Sequence, residues 1–440
     1  MARIFMSFLG TNRYVEAHYR LGKDISALTP FVQEALTGFF CKDWGPQDRL
    51  VFFLTTEAQK KNWEDGGNFP EGLKTRLKKL GLSAKEEPVP FTEGYSEEEI
   101  RKNFLTVVDR LQDGDEVIFD ITHSFRSLPM LNLVALNYAR VLKKIYIRGI
   151  YYGAFEVLGN PRDVQEKIPP EERIAPVFDL TSYALLLDWS FAVEEFVRYG
   201  LAERLYDLVQ GEIRPILKRS RGQDEKASSL RSITQGLKNL ALNIYTCRCQ
   251  AIENIRLSSD FYGEISLDDF LPAFAPLIGR IKHKVEPFFT EDPWEKALAA
   301  VKWCLAHNLV QQGYTILEEA TVTELCRLAG LKGSDKKNRN FVSSLLAMNA
   351  QKRPSEEWQG ELGRRREEGL ALQKKWGKAL QDLAKAFASL ADVRNDINHC
   401  GCRSGAKQAS ALIQELEQHY QAIREAMEVL KRKTAKTERA

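Results

Sequence analysis

Apolar side chains at Trp376, Leu380, Leu383, Phe387, Leu390, Val393 and Ile397 recur every three or four residues. That spacing predicts an amphipathic helix, and Cys400-Gly401 supplies its stop. Arg394, Asn395, Asn398 and His399 fall on the last turn and a half, off the apolar stripe. The first part of the chain has another rhythm. Short apolar runs at 3–8, 50–54, 116–121, 144–152 and 173–178 read as strands. Helical patterns separate several of them. A capping box, Ser96 with Glu99, opens one that carries Ile100, Phe104, Val107, Val108 and Leu111. Another runs over 128–142, with Pro129 in its first turn. Strands alternating with helices predict a Rossmann-like α/β domain, a parallel sheet covered on both faces.

Beyond about 179 the strand rhythm stops, and the remainder predicts an all-α domain. The expected division is 1–178 and 179–440, with a helical connector around 205–290. Residues 161–172 read as a polar loop and 214–226 as a charged connection. Trp189, Phe191, Phe196 and Tyr199 read as core. Asp292-Pro293 caps a helix, and the next helix carries Glu318 and Glu319. Residues 332–339 and 352–369 read as charged loops, with Arg364-Arg365-Arg366 as solvated surface. A last helix spans 410–430, followed by a basic tail.

Composition adds limits. The chain has 440 residues and a net charge of +3, so no global field draws polyanions and nucleic-acid contact must be local. No apolar run reaches membrane-spanning length, which argues against a membrane partner. Seven cysteines, with a start that runs straight into a strand, predict reduced thiols and a cytoplasmic protein. The pairs Cys247/Cys249 and Cys400/Cys402 leave one residue between sulfurs, tighter than zinc sites use, so no metal is assigned.

Ligands of such sheets bind outside the carboxyl ends of the strands. Two polar loops lie there. Gly10-Thr11-Asn12 offers backbone N–H groups and a hydroxyl, as a phosphate requires. Thr122-His123-Ser124-Phe125-Arg126 offers hydroxyls, an imidazole, a guanidinium and a ring for stacking. Taken alone, the second loop equally suits a capped strand-to-helix turn. No G-x-G-x-x-G and no G-x-x-x-x-G-K-[ST] occurs, so dinucleotide and nucleoside-triphosphatase sites lack support. At the other end, Arg394 suits charge stabilisation at a phosphate and His399 suits proton transfer near neutral pH. By itself this pair also fits a solvated helix end.

Asp120-Ile121-Thr122-His123-Ser124-Phe125-Arg126 resembles the D-x-T-H-[GS]-hydrophobic-R motif of CRISPR-associated proteins with a CARF sensor domain. Phe8 to Asn12, Thr55 to Ala58 and Tyr152 to Glu156 resemble other segments of the same family. Arg394-Asn395-x3-His399 resembles the R-N-x3-H form of the HEPN ribonuclease motif. The resemblance implies a type III CRISPR accessory ribonuclease of the CARF–HEPN group, activated by a cyclic oligoadenylate and acting on single-stranded RNA. Cyclic tetra-adenylate is the favoured ring, hexa-adenylate the next. Gly10, Thr11, Asn12, Thr122, His123, Ser124, Phe125 and Arg126 are then the expected activator contacts. His399 becomes the general acid or base, Arg394 the phosphate stabiliser, and Asn395 and Asn398 their supports.

No carboxylate cluster suited to magnesium accompanies them. Metal-independent cleavage with no required cofactor is therefore expected, through the RNA's own 2′-hydroxyl to a 2′,3′-cyclic phosphate and a 5′-hydroxyl. Arg394 and His399 lie about 140° apart round the helix, which favours a site shared between two copies in a homodimer, or in a higher oligomer of dimers. Two rivals stay open. One is a nucleotide-sensing regulator with a non-catalytic helical dimerisation domain. The other is a toxin-type HEPN nuclease that answers to a protein partner.

Overall fold

The computed structural model describes residues 2–123, 128–257 and 275–437. The chain divides into two compact units between Leu187 and Asp188, inside the helix Thr181–Tyr199. The first unit is built on an eight-stranded sheet. Its strands are β1 (Arg3–Leu9), β2 (His18–Leu21), β3 (Asp24–Ile25), β4 (Arg49–Leu54), β5 (Lys85–Pro90), β6 (Glu116–Asp120), β7 (Tyr146–Gly153) and β8 (Ile174–Asp179). Their spatial order is β3-β2-β8-β7-β6-β1-β4-β5. All neighbours run parallel except β2 with β3 and β7 with β8.

Alternation along β1 explains the two covered faces. Ile4, Met6 and Phe8 pack with Val51, Phe53, Val117 and Phe119 under the helices Glu97–Asp109 and Leu128–Lys143. Phe5 and Leu9 face the other way, into a core with Phe52, Trp63, Leu36 and Leu73. Phe8 is the centre of the first core: its ring stacks on Phe53 at 4.9 Å and meets Phe91 and Phe119 edge-on. Truncating a side chain packed on every side in this way costs on the order of 3–5 kcal/mol. Strand β1 is also where the winding changes direction. After β2 and β3, which lie at the far edge beside β8, the chain adds β4 and β5 on one side of β1 and then β6 and β7 on the other. The switch point therefore falls between the carboxyl ends of β1 and β6, where the Gly10 and Thr122 loops begin.

The second unit is helical throughout its described length. Several expected loops are ordered structure instead. Residues 161–172 hold the helix Pro161–Lys167, capped by Asn160, and a 3-10 turn, Pro170–Glu172. The connection expected at 214–226 holds the end of the helix Glu203–Arg219, a short turn and the start of Glu225–Tyr245; the first helix runs through Pro215 because Leu205, Val209 and Ile213 bury its apolar face. The loop expected at 352–369 contains the helix Gly360–Arg364 and the start of Arg366–Trp376. Trp376 ends that helix, and Gly377 breaks the chain at φ 50° before Lys378–Asn398 begins. Phe191 and Tyr199, expected in the core, are half exposed, while Trp189 and Phe196 are buried.

Candidate functional site

The switch-point edge of the sheet is assembled around one buried carboxylate. Ser7 in β1 and Asp120 in β6 are register partners. The Ser7 hydroxyl lies 2.6 Å from Asp120 Oδ2, and the Thr122 amide and hydroxyl both donate to Oδ1, at 2.9 and 2.5 Å. Thr122 Oγ1 in turn accepts from the Gly153 amide of β7 at 2.8 Å. Asp120 thus ties together three adjacent strand ends. Its burial raises the carboxyl above the usual carboxylate range, against the lowering effect of the Ser7 and Thr122 hydrogen bonds. The Thr122 hydroxyl, expected to face the activator, is bonded on both sides within the fold and orders the loop.

His123 follows and is half-buried, with its Nε2 enclosed. Its ring stacks on Tyr14 at 4.3 Å, and its Nε2 has no hydrogen-bond partner among the described residues. Burial pushes the imidazole down to about 4, so it is neutral at pH 7. His123 is therefore placed as a neutral wall of the loop and carries no charge toward a phosphate. The Gly10 loop sits directly alongside. A Cβ built on Gly10 would lie 3.7 Å from the His123 Cβ and only 2.6 Å from the Tyr14 hydroxyl. The His123 contact is an ordinary one; it is the Tyr14 hydroxyl that a side chain at position 10 would have to displace.

A strap that the sequence reading missed holds the Gly10 loop. Asn62, buried in the π-helical turn Gln59–Trp63, donates to the carbonyls of Gly10 and Asn12 at 2.8 and 2.9 Å. Asn68 donates to the carbonyl of Thr11 at 3.3 Å and to Asn62 Oδ1 at 2.9 Å. With its carbonyls tied back, the loop leaves Thr11 half-buried and Asn12 exposed. No period or motif in the sequence marks Asn62 or Asn68. Ser124, Phe125 and Arg126, also expected to contact the activator, lie outside the described residues.

In the second unit, Arg394, Asn395, Asn398 and His399 stand together at the end of the helix Lys378–Asn398. His399 is the C-cap and is exposed, as are Asn395 and Asn398. The helix stops in a Schellman turn: Cys400 N–H donates to Ile397 O and Gly401 N–H to Asp396 O, with φ of 55° and 68° at Cys400 and Gly401. Asp396 is buried within the same turn. It accepts the Lys407 amide at 2.9 Å and faces Arg403 Nε at 3.6 Å, folding residues 400–407 back against the helix end. Gln311 Nε2 lies 3.5 Å from Asn398 Oδ1.

Arg394 differs from its exposed neighbours. Its side chain is 27% exposed, and Nη1 lies 3.5 Å from Glu318 Oε1 on the helix Val310–Leu328. Arg394 Nε and Glu318 Oε2 are buried without hydrogen-bond partners among the described residues. Burial raises the Glu318 carboxyl, and Arg394 offsets part of that rise. The arrangement offers a cation held by a single carboxylate, beside an exposed imidazole. Such a pair suits charge stabilisation and proton transfer at a phosphodiester.

The other charged candidates are accounted for internally. Arg365 pairs with Glu368 at 2.5 Å and lies over the Phe341 ring at 4.2 Å; Arg364 pairs with Glu361 at 2.7 Å. All seven cysteines are free. Among the described residues no group of three or more His, Cys, Asp or Glu side chains is placed to hold a metal, and no helix is long and apolar enough to cross a membrane.

Residues 4–156 match the family described as the CARF domain of the CRISPR system endoribonuclease Csx1. The CRISPR-associated protein MJ1674 of Methanocaldococcus jannaschii is 27% identical over 260 residues, which are 58% of this chain and 36% of that protein. The match thus spans about a third of that relative's length. The solved structure of Enterococcus italicus Csm6 bound to cyclic hexa-2′-fluoro-hexa-dAMP is 11% identical, covers 99% of this chain and 98% of its own, and has a TM-score of 0.41. Residues 4–156, most of the first unit, are thus similar to the Csx1-type CARF domain, and their D-x-T-H motif closes β6 at the switch point of the sheet.

Proposed function

We propose that the chain is an endoribonuclease switched on by a cyclic oligoadenylate, with the sensor in the first unit and an RNA-cutting turn of the HEPN type in the second. The observation that carries this reading is the pairing of a half-buried, under-bonded Arg394 with an exposed His399 at one helix end, in a chain that is also similar to a Csx1-type CARF domain over residues 4–156. In this account His399 takes the proton of the RNA 2′-hydroxyl or returns one to the leaving oxygen. Arg394 neutralises charge building on the phosphorus-bound oxygens. The 2′-hydroxyl forms a bond to phosphorus as the 5′-oxygen bond breaks, leaving a 2′,3′-cyclic phosphate and a 5′-hydroxyl. No metal is needed for that step.

Both groups lie on one turn, roughly 140° apart about its axis, so a second copy is expected to complete the site in a homodimer. The activator is a polyanion. Thr11, Asn12 and the Gly10 amide, with Ser124 and Arg126, are the proposed contacts. Cyclic tetra-adenylate is favoured and hexa-adenylate is the alternative.

Incubating the protein with end-labelled single-stranded RNA, with and without each ring, tests the reading. Cleavage that requires a ring supports it. Ring binding without cleavage leaves a regulator with a helical dimerisation domain, and cleavage indifferent to every ring leaves a nuclease that answers to another signal.

A further inference from the structure

A cavity of about 860 Å³ opens in the helical unit between the Cys247–Asn254 segment, the helix Val310–Leu328 and the Leu331–Arg339 segment. Consecutive glutamates join it to the Arg394 turn: Glu318 faces Arg394, while Glu319, in the cavity wall, pairs with Arg339. Two cations of the lining are engaged internally. Arg339 also donates to Thr323 Oγ1 and the Gly333 carbonyl at 2.8 and 3.0 Å, and Arg327 pairs with Glu324 and, at 3.9 Å, with Glu253. Two others, Arg248 and Lys332, are exposed and have no side-chain partner among the described residues. The cavity therefore carries uncompensated positive charge.

The rest of the lining narrows the ligand. No aromatic side chain belongs to it among the described residues, so it offers no platform for base stacking. Thr315, Ser334 and Asn254 add hydroxyl and amide groups of the kind that meet a ribose or a phosphate. Its thiols do not repel an anion: burial pushes Cys249 up to about 12 and also raises Cys247, although Arg248 and Arg394 act against the latter.

We infer that this cavity is a phosphate-and-ribose subsite for the RNA strand next to the bond that is cut, with Arg248 and Lys332 as its phosphate contacts. The inference rests on the nuclease reading for its substrate class. It makes contact with RNA along the helical unit independent of base identity.

Binding without cleavage tests it. A fluorescent single-stranded RNA with 2′-fluoro riboses lacks the internal nucleophile, so its affinity is measurable by anisotropy across a salt series. In the full-length protein, the double variant Arg248→Ala/Lys332→Ala is expected to bind about ten-fold more weakly near 0.1 M salt. The slope of log affinity against log salt should become shallower by about 1.4, at ~0.7 for each phosphate contact of a single strand. Arg248→Lys/Lys332→Arg should keep both. Unchanged affinity and slope in the alanine variant, or no binding of this RNA by the wild type, overturns the subsite. So does AMP that displaces the RNA at equal phosphate concentration, which would assign the cavity to free nucleotides. Failure of the nuclease reading looks different: the wild type would bind the 2′-fluoro strand in this Arg248/Lys332-dependent way yet leave ordinary RNA uncut.

Discussion

Arg394 Nη1 lies 3.5 Å from Glu318 Oε1, and among the described residues this carboxylate is the guanidinium's ion-pair partner at the end of the Lys378–Asn398 helix. Glu318 is mostly buried, so the pair is better shielded than a surface bridge, yet Arg394 keeps a side open to solvent. Glu318→Gln preserves length and an acceptor but removes the charge that fixes the cation. Cleavage at saturating activator should fall about three- to ten-fold, corresponding to ~1 kcal/mol of lost orientation. Single-turnover rates measure it; a rate within twofold of wild type would show that Arg394 reaches its working position unaided.

Gly10 packs against the Tyr14 side chain. A methyl group there would press on the Tyr14 hydroxyl at 2.6 Å. Gly10→Ala should lower stability by about 1–3 kcal/mol, as overpacking does, and move the activation curve to higher ligand. Adding Tyr14→Phe removes the obstructing oxygen and should restore much of both. Thermal unfolding and a cyclic tetra-adenylate titration of the two variants provide the check, and a Gly10→Ala protein identical to wild type in both contradicts the close approach.

Burial holds the His123 imidazole down to about 4, against an ordinary value near 6.5. Between those values the unfolded chain binds a proton that the folded chain excludes. The His123 contribution is therefore complete above about pH 6.5, shrinks as pH falls and is exhausted below about 4, for up to about 3 kcal/mol. Asp120, whose carboxyl is raised by burial, acts in the opposite sense at low pH. The informative quantity is thus the difference from His123→Gln. Denaturant unfolding at pH 7 and pH 5 should show the wild type losing more stability than the variant. Equal losses would place the imidazole in contact with solvent.

The architecture was legible where periodicity is strong. Strands β1, β4, β6 and β7 are continuous apolar runs because both faces of the sheet are covered, and they were expected from that pattern. β5 escaped because Lys85-Glu86-Glu87-Pro88-Val89-Pro90 is an edge strand paired only with β4, where prolines and charges are tolerated. The short β2 and β3 lack any repeat long enough to read. In the helical unit, tertiary burial of Leu205, Val209 and Ile213 overrode the charge and the proline that suggested a connection. For the sites, the sequence located Arg394 and His399 on one helix end, because both lie within a single periodic segment. It could not anticipate Glu318 against Arg394, Asn62 across Gly10 and Asn12, or Asp396 holding Arg403 and the Lys407 amide. The first two join residues distant along the chain, and the third lies within a turn that carries no recognisable motif.

Cleavage by way of the 2′-hydroxyl requires only proton transfer and charge stabilisation, which His399 and Arg394 supply in this account. Activity should therefore persist in excess EDTA at an unchanged rate, and the products should carry 2′,3′-cyclic phosphate ends that resist phosphatase until opened by acid. Loss of activity in EDTA, restored by zinc or magnesium, would sink the metal-free route.

The central claim is that the Arg394–His399 turn cuts RNA on command from the sensor. The direct measurement compares wild type, Arg394→Ala and His399→Ala for cleavage of labelled RNA and for binding of cyclic tetra-adenylate and hexa-adenylate in the same preparations. His399 is exposed and Arg394 partly so, which leaves the core intact in both variants. Cleavage should fall by more than about a hundred-fold, with ring affinity and oligomeric state unchanged. Cleavage within threefold of wild type in both variants would contradict it.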